Sequence, residues 1–218
     1  MELKNKKDGV IRESNITQEF VSEVANKLGS IPEVETIFYY LYAVLHSPTF
    51  RERYKEFLKI DFPRVPVTSN KKLFESLAVM GKTLTNLHLL GQNPFDESKT
   101  ALDDTKIWAI STGSKDPKGI ADWQVAKIKE EERYDSQSKR VYINGNQFFE
   151  GIEPEVWGFQ IGGYQVLDKW LSERAKEKRS IADDLKYFMK IAVSLRETIR
   201  IMKEIDEAID AHGGWPIK

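Results

Sequence analysis

Ile181-Ala182-Asp183-Asp184-Leu185-Lys186-Tyr187-Phe188-Met189-Lys190-Ile191-Ala192-Val193-Ser194-Leu195, continuing to Ile209, is the stretch on which the fold turns. Leu185, Phe188, Met189, Ala192, Leu195, Ile199, Met202 and Ile205 recur at helical spacing, which predicts a long C-terminal helix fit to serve as a strut or to bind a partner. Just upstream, Val166, Leu167, Trp170 and Leu171 predict another helix. Further back the apolar period shortens toward two. Lys106–Ser111, Lys127–Tyr134 and Arg140–Asn144 are predicted strands, the last following a polar turn at Asp135–Lys139, so a small sheet with a hairpin precedes the helices. On such a strand Glu130, Glu131 and Glu132 alternate up and down as a solvated face.

The N-terminal part is helical. Ile16, Phe20, Val24 and Leu28 mark a first helix closed by Gly29; Ile37, Leu41, Val44 and Leu45 mark a second, with Pro32 near its first turn. Ser47 caps a third with Pro48 at its first position, carrying Phe50, Tyr54, Phe57 and Leu58 inward. Asp61–Pro66 is forced extended by its prolines. Lys71–Leu90 is a fourth helix with Leu73, Leu77, Met80, Leu84 and Leu87 in one stripe and Gly91 beyond. The class is therefore α+β, mostly helical with a small β-sheet in the middle and a long C-terminal helix. The expected organisation is a flexible segment 1–14, then one module over 15–218. Within that module lie a helical part (15–91), a linker (92–105), a β-containing part (106–165), C-terminal helices (166–210) and a tail (211–218).

With 218 residues, 40% of them hydrophobic, the chain can bury a core. No apolar run is long enough to cross a bilayer, and no apolar stretch follows basic Met1–Lys7, so a cytoplasmic location is expected. The absence of cysteine removes disulfides, thiolate nucleophiles and cysteine-based metal sites. Thirty-three basic against thirty-four acidic residues exclude a grip on nucleic acid by bulk charge, so any such contact must use local patches.

Catalytic motifs are missing. There is no Gly-x-Ser-x-Gly, no phosphate-cradling loop ending in Gly-Lys-Ser/Thr and no Gly-x-Gly-x-x-Gly. His46, His88 and His212 have no second ligand at metal spacing and are expected to be structural. Asn93-Pro94-Phe95-Asp96 only approximates the loop of an amino-methyltransferase and fits a turn. Two features remain. Ile161-Gly162-Gly163-Tyr164 lies between extended chain and a helix, where Gly162 and Gly163 could offer backbone N–H groups to a phosphate or simply form a tight turn. Arg174, Lys176, Lys178 and Arg179 form a basic run preceded by Lys169 and Trp170, either solvated charge or the local patch a near-neutral DNA binder needs.

Several strings carry a family likeness. Tyr39-Tyr40-Leu41-Tyr42-Ala43-Val44-Leu45-His46-Ser47-Pro48, Phe50-Arg51-Glu52-Arg53-Tyr54 and Phe57-Leu58-Lys59-Ile60-Asp61-Phe62-Pro63-Arg64-Val65-Pro66 stand in the N-terminal part. Val141-Tyr142-Ile143-Asn144, Phe148-Phe149-Glu150-Gly151, Pro154-Glu155-Val156-Trp157 and Ile161-Gly162-Gly163-Tyr164-Gln165-Val166-Leu167-Asp168-Lys169-Trp170-Leu171 follow in order. Together, from about residue 15 to residue 209, they resemble the C-terminal specificity region of type ISP restriction–modification proteins. The resemblance implies sequence-specific recognition of double-stranded DNA on behalf of an adenine-N6 methyltransferase and restriction domain or subunit. S-adenosylmethionine is expected only in that partner; no cofactor, metal or catalytic residue is expected here. Segments shared among proteins with different targets suit a scaffold, which moves the expected base contacts to dissimilar parts: Thr112–Trp123 and the turn Asp135–Arg140. Ser114, Lys115, Lys118, Gln124, Gln137, Lys139 and Arg140 are the candidates there, beside Gly162, Gly163 and the basic run. The competing expectation is a protein-interaction scaffold that docks on a methyltransferase subunit or dimerises through the C-terminal helix. Exposed apolar surface on that helix would favour it.

Overall fold

Hydroxyl caps start two of the N-terminal helices. In the computed structural model, which describes residues 4–7, 10–90, 110–115, 123–178 and 180–218, the Oγ1 of Thr17 accepts from the amide of Phe20 and opens α1 (Gln18–Leu28), and Gly29 closes it in the left-handed region. Helix α2 (Val34–His46) follows, burying Ile37, Tyr40 and Val44. Ser47 accepts from Phe50 N at 3.0 Å and starts α3 (Pro48–Arg53) with proline in its first turn. Ahead of these helices, β1 (Lys4–Lys7) and β2 (Val10–Glu13) pair antiparallel, Lys4 opposite Glu13, where the polar composition had predicted a flexible segment. The β-branched pair Val10-Ile11 is the local preference that composition overlooks.

The third helix departs from expectation. It breaks at Tyr54 (φ −106°, ψ 14°), and α4 (Lys55–Leu58) starts afresh. The break spoils the periodicity, so Phe50 is buried while Phe57, predicted inward, is 74% exposed. The extended Asp61–Pro66 stretch is held by Tyr40, whose hydroxyl donates to Pro66 O at 2.8 Å and accepts from Thr68 N at 3.2 Å. Asn70 Oδ1 then accepts from Leu73 N and helps open α5 (Lys71–His88), whose Leu73, Leu77, Leu84 and Leu87 are buried.

The chain divides into two units, Met1–Thr85 with Ile201–Lys218 and Asn86–Arg200. In the first, the last turns of the C-terminal helix and the tail belong to the same body as α1–α4. Asp206 accepts from the Ser47 hydroxyl and from Thr49 N and Oγ1 (3.0 and 2.7 Å). Trp215 packs on Phe50, and the carbonyl of Lys218 accepts from Ser69 N and Thr68 Oγ1, both at 2.9 Å.

The second unit holds a four-stranded antiparallel sheet in the order β3-β6-β5-β4, with β3 Ser111–Ser114, β4 Tyr134–Asp135, β5 Arg140–Tyr142 and β6 Gln147–Glu150. The predicted strand Lys127–Tyr134 does not form. Its first residues carry no regular structure, and Glu130–Arg133 make one helical turn, α5's successor α6, leaving only Tyr134 to enter the sheet. The run of glutamates favours a helical turn over a ladder. Of the other predicted strand, Lys106–Ala109 and the linker, including Asn93–Asp96, lie outside the described residues. Further on come a turn of helix, α7 (Pro154–Trp157), the hairpin β7 (Gln160–Ile161) and β8 (Tyr164–Gln165), α8 (Val166–Glu177), and the long helix α9 (Leu185–Asp210). Val141 and Phe149 point from the sheet into a core with Leu167 and Leu171 of α8 and Phe188, Met189 and Ala192 of α9. The rings of Phe149 and Phe188 stack at 4.2 Å.

Candidate nucleic-acid interface

Alternation along β5 and β6 sends Val141 and Phe149 to the core and Arg140, Tyr142 and Phe148 to the other face. There the side chains form a ladder. The Arg140 guanidinium lies 4.2 Å from the Phe148 ring centre, Tyr142 meets Phe148 edge-on at 5.6 Å, and Lys115 places its ammonium 4.5 Å from the Tyr142 ring. Gly113 makes this packing possible: a Cβ there would stand 2.6 Å from the Phe148 ring. Arg140 also donates to Glu150 at 2.8 Å, which raises its pKa and keeps it charged. Lys139, at the left-handed corner before β5 (φ 54°), pairs with Glu153 at 2.8 Å. The turn below is fixed by Asp135, which accepts from Gln137 N and from Ser138; the Ser138 hydroxyl bond is the main reason its pKa lies below the usual carboxylate range. Gln137 is exposed there, as is Gln124, whose carbonyl accepts from Asn144. Lys115, Gln137, Lys139 and Arg140 thus share one sheet and its connecting turns. Lys118 lies outside the described residues.

The basic run has different surroundings. Arg174 lies over the Trp170 ring at 4.7 Å and pairs with Glu177 at 3.3 Å and Asp184 at 3.7 Å. Glu173 sits 3.0 Å from both Lys169 and Lys176. Lys178 is the exposed C-cap of α8, in the left-handed region, and Arg179 lies outside the described residues. Three carboxylates are interleaved with these cations, so the stretch is a mixed-charge surface rather than a positive strip.

Gly162 and Gly163 have φ of +58° and +81° and form the two-residue tip of the β7–β8 hairpin. Positive φ at both central positions is the geometry whose twist suits a tight hairpin, and it is costly for residues other than glycine. The tight-turn reading of these glycines holds, although the turn joins two strands, and α8 starts only at Val166.

Two side chains escaped the sequence analysis. Arg133, directly after three glutamates, has a side chain only 4% exposed; its Nε meets Asp168 Oδ1 of α8 at 3.1 Å and its Nη2 reaches Ala126 O at 3.4 Å. Burial lowers its pKa while Asp168 opposes the shift. Tyr164, exposed on the hairpin, has Lys169 Nζ 5.3 Å from its ring centre. Nothing in the local pattern marks Arg133 as buried, since its neighbours Glu131 and Glu132 are solvated. His46 and His212 bond within their own helical turns, to Tyr42 O and Ala208 O, and His88 bonds across to Thr198 Oγ1. Among the described residues no group of three or more metal-ligating side chains occurs.

The model of the Type ISP C-terminal specificity domain matches residues 2–204. The chain belongs to that family. Solved structures of similar fold include a DrdV–DNA complex (TM-score 0.62, 23% identity, 91% of this chain and 20% of that one). Another is the type ISP restriction–modification enzyme LlaBIII bound to DNA (0.58, 18%, 100% and 13%). A third is a nuclease-deletion mutant of LlaGI with a DNA substrate mimic (0.54, 20%, 81% and 16%). The type ISP chain described here thus spans between 13% and 20% of the length of these structures. No curated protein matches it.

Proposed function

We propose that this type ISP specificity domain recognises a specific sequence in double-stranded DNA and directs an adenine-N6 methyltransferase and restriction enzyme supplied by another domain or subunit. The observation that carries the reading is the family match across residues 2–204, supported by similar folds in proteins described as bound to DNA. In this reading the chain does no methyl transfer or ATP hydrolysis itself, S-adenosylmethionine is held by the partner, and the work is done in the cytoplasm. No described helix is long and apolar enough to cross a membrane. Lys115, Gln124, Gln137, Lys139 and Arg140 would meet base edges and phosphates from the sheet side. Gly162, Gly163, Arg174, Lys176 and Lys178 would contribute from the hairpin and the end of α8, and Lys118 and Arg179, outside the described residues, are further candidates. The alternative of docking through the C-terminal helix loses its surface, because Phe188, Met189, Ala192, Ile199 and Ile205 of α9 are buried in the chain's own units.

The test is selection of duplexes from a random pool by the pure chain, followed by anisotropy titrations over a salt series. Enrichment of one sequence, with a log–log salt slope of about 0.9 per phosphate contacted, is expected. Lys115→Ala should change the preferred sequence if its ammonium reaches a base edge. A pool that stays random, with and without an adenine methyltransferase partner, overturns the reading.

A further inference from the structure

We infer that the β7–β8 hairpin enters the major groove of DNA as a fixed apolar ribbon, Ile161 and Tyr164 against base edges and Lys169 on a flanking phosphate. The inference rests on the recognition reading above and assigns contacts that the charged candidates do not cover.

Ile161 and Tyr164 are cross-strand partners, so they share a face, and they are 62% and 64% exposed. The opposite face is anchored. Gln165 donates its side-chain amide to Trp157 O at 2.6 Å, Val166 N reaches Phe159 O at 3.1 Å, and Trp157 stacks on Tyr134 at 5.4 Å. Two large apolar groups are therefore held side by side in water on a hydrogen-bonded base, where a bound partner would gain their burial.

The surroundings select the partner. The tip is two glycines with no atom within 4 Å of where a side chain would begin, so the turn is unencumbered in its immediate surroundings. A two-stranded ribbon of this kind matches the major groove, about 12 Å wide. Lys169, exposed and beside Tyr164, has its pKa raised chiefly by Glu173, and supplies positive charge where the ribbon would meet the backbone. A protein partner would call for a broad apolar patch rather than a narrow tip rimmed by a cation. Because the ribbon is already ordered, insertion costs little conformational entropy.

The prediction separates apolar from ionic contact. Ile161→Thr with Tyr164→Thr, which keeps strand preference, should weaken binding to the duplex pool about tenfold through lost apolar burial. The salt slope should be unchanged. Tyr164→Phe should bind like the parent, and Lys169→Gln should lower the slope by about 0.9. Melting curves of each variant confirm folding, and the Phe and Gln single variants decide the matter should the double variant melt early. Parental binding by the folded double variant overturns the inference and assigns the hairpin to a protein contact. So does a flattened slope in that variant, which would make the two residues mere supports for Lys169. Failure of the unaltered chain to bind any duplex would instead overturn the recognition reading.

Discussion

Arg133 and Arg140 lie seven residues apart in the same unit, each beside a carboxylate, yet they occupy opposite physical regimes. Arg133, at the end of α6, is buried beside Asp168 of α8, and its Nη1 is buried without a hydrogen-bond partner among the described residues. Arg140 lies on the outer face of the sheet, paired with Glu150 above an aromatic ring. A buried ion pair ties elements together and punishes the loss of either member, whereas an exposed one adds little stability and can exchange its partner for another anion. The same residue type therefore serves architecture on one side of this unit and remains available for binding on the other.

The contrast can be broken most forcefully at the buried pair. Asp168→Ala should cost about 2–3 kcal/mol, at or below the usual loss for a buried pair because Asp168 is itself partly exposed. Urea denaturation measures it, and Arg133→Met combined with Asp168→Leu should recover much of the loss. An Asp168→Ala variant as stable as the parent would show that Arg133 is not held by this partner. A smaller effect is expected at the hairpin tip. Gly162→Val and Gly163→Val should each cost roughly 1 kcal/mol or more through left-handed strain, harming stability, read as melting temperature, more than they selectively harm DNA binding by the folded protein. An unmoved melting temperature with lost affinity would instead favour backbone amides that hold a phosphate. The least effect on stability belongs to Arg140→Gln, which should leave the denaturation midpoint in place and flatten the DNA salt slope by about 0.9. A large drop in the midpoint would place Arg140 in the same class as Arg133.

The helices were legible because their stripes are long and their caps local: Ser47 and Gly29 act within four residues of their own position. The third helix misled because spacing alone put Phe57 inward, and nothing in the periodicity recorded the break at Tyr54. The sheet was half legible. Alternation at Val141 and the polar turn at Asp135 placed β5, but Lys127–Tyr134 carries three successive glutamates and became a helical turn, from which Arg133 reaches Asp168 thirty-five residues away. The candidate site followed the same division. Lys115 and Arg140 could be named as candidate cations, but the rings beside them, Tyr142 and Phe148, are paired by sheet register. The exposed Ile161 and Tyr164 stood within the family string, where scaffold was the expectation, and only the hairpin geometry shows that they face water.

The bonds from Asp206 to Ser47 span 159 residues, and those from Lys218 to Thr68 span 150. Closing a free loop of that length costs about 4–5 kcal/mol in the logarithmic term alone. The middle unit reduces this cost. Once it has folded, Ser194 is bonded to Leu87 O at 2.8 Å and His88 to Thr198 at 3.0 Å, so the two strands of chain that leave it are already pinned side by side. The outer unit then closes a short gap rather than a long one. An inserted unit pinned at its neck in this way would act on the outer unit as a clasp, replacing a long loop closure by a short one.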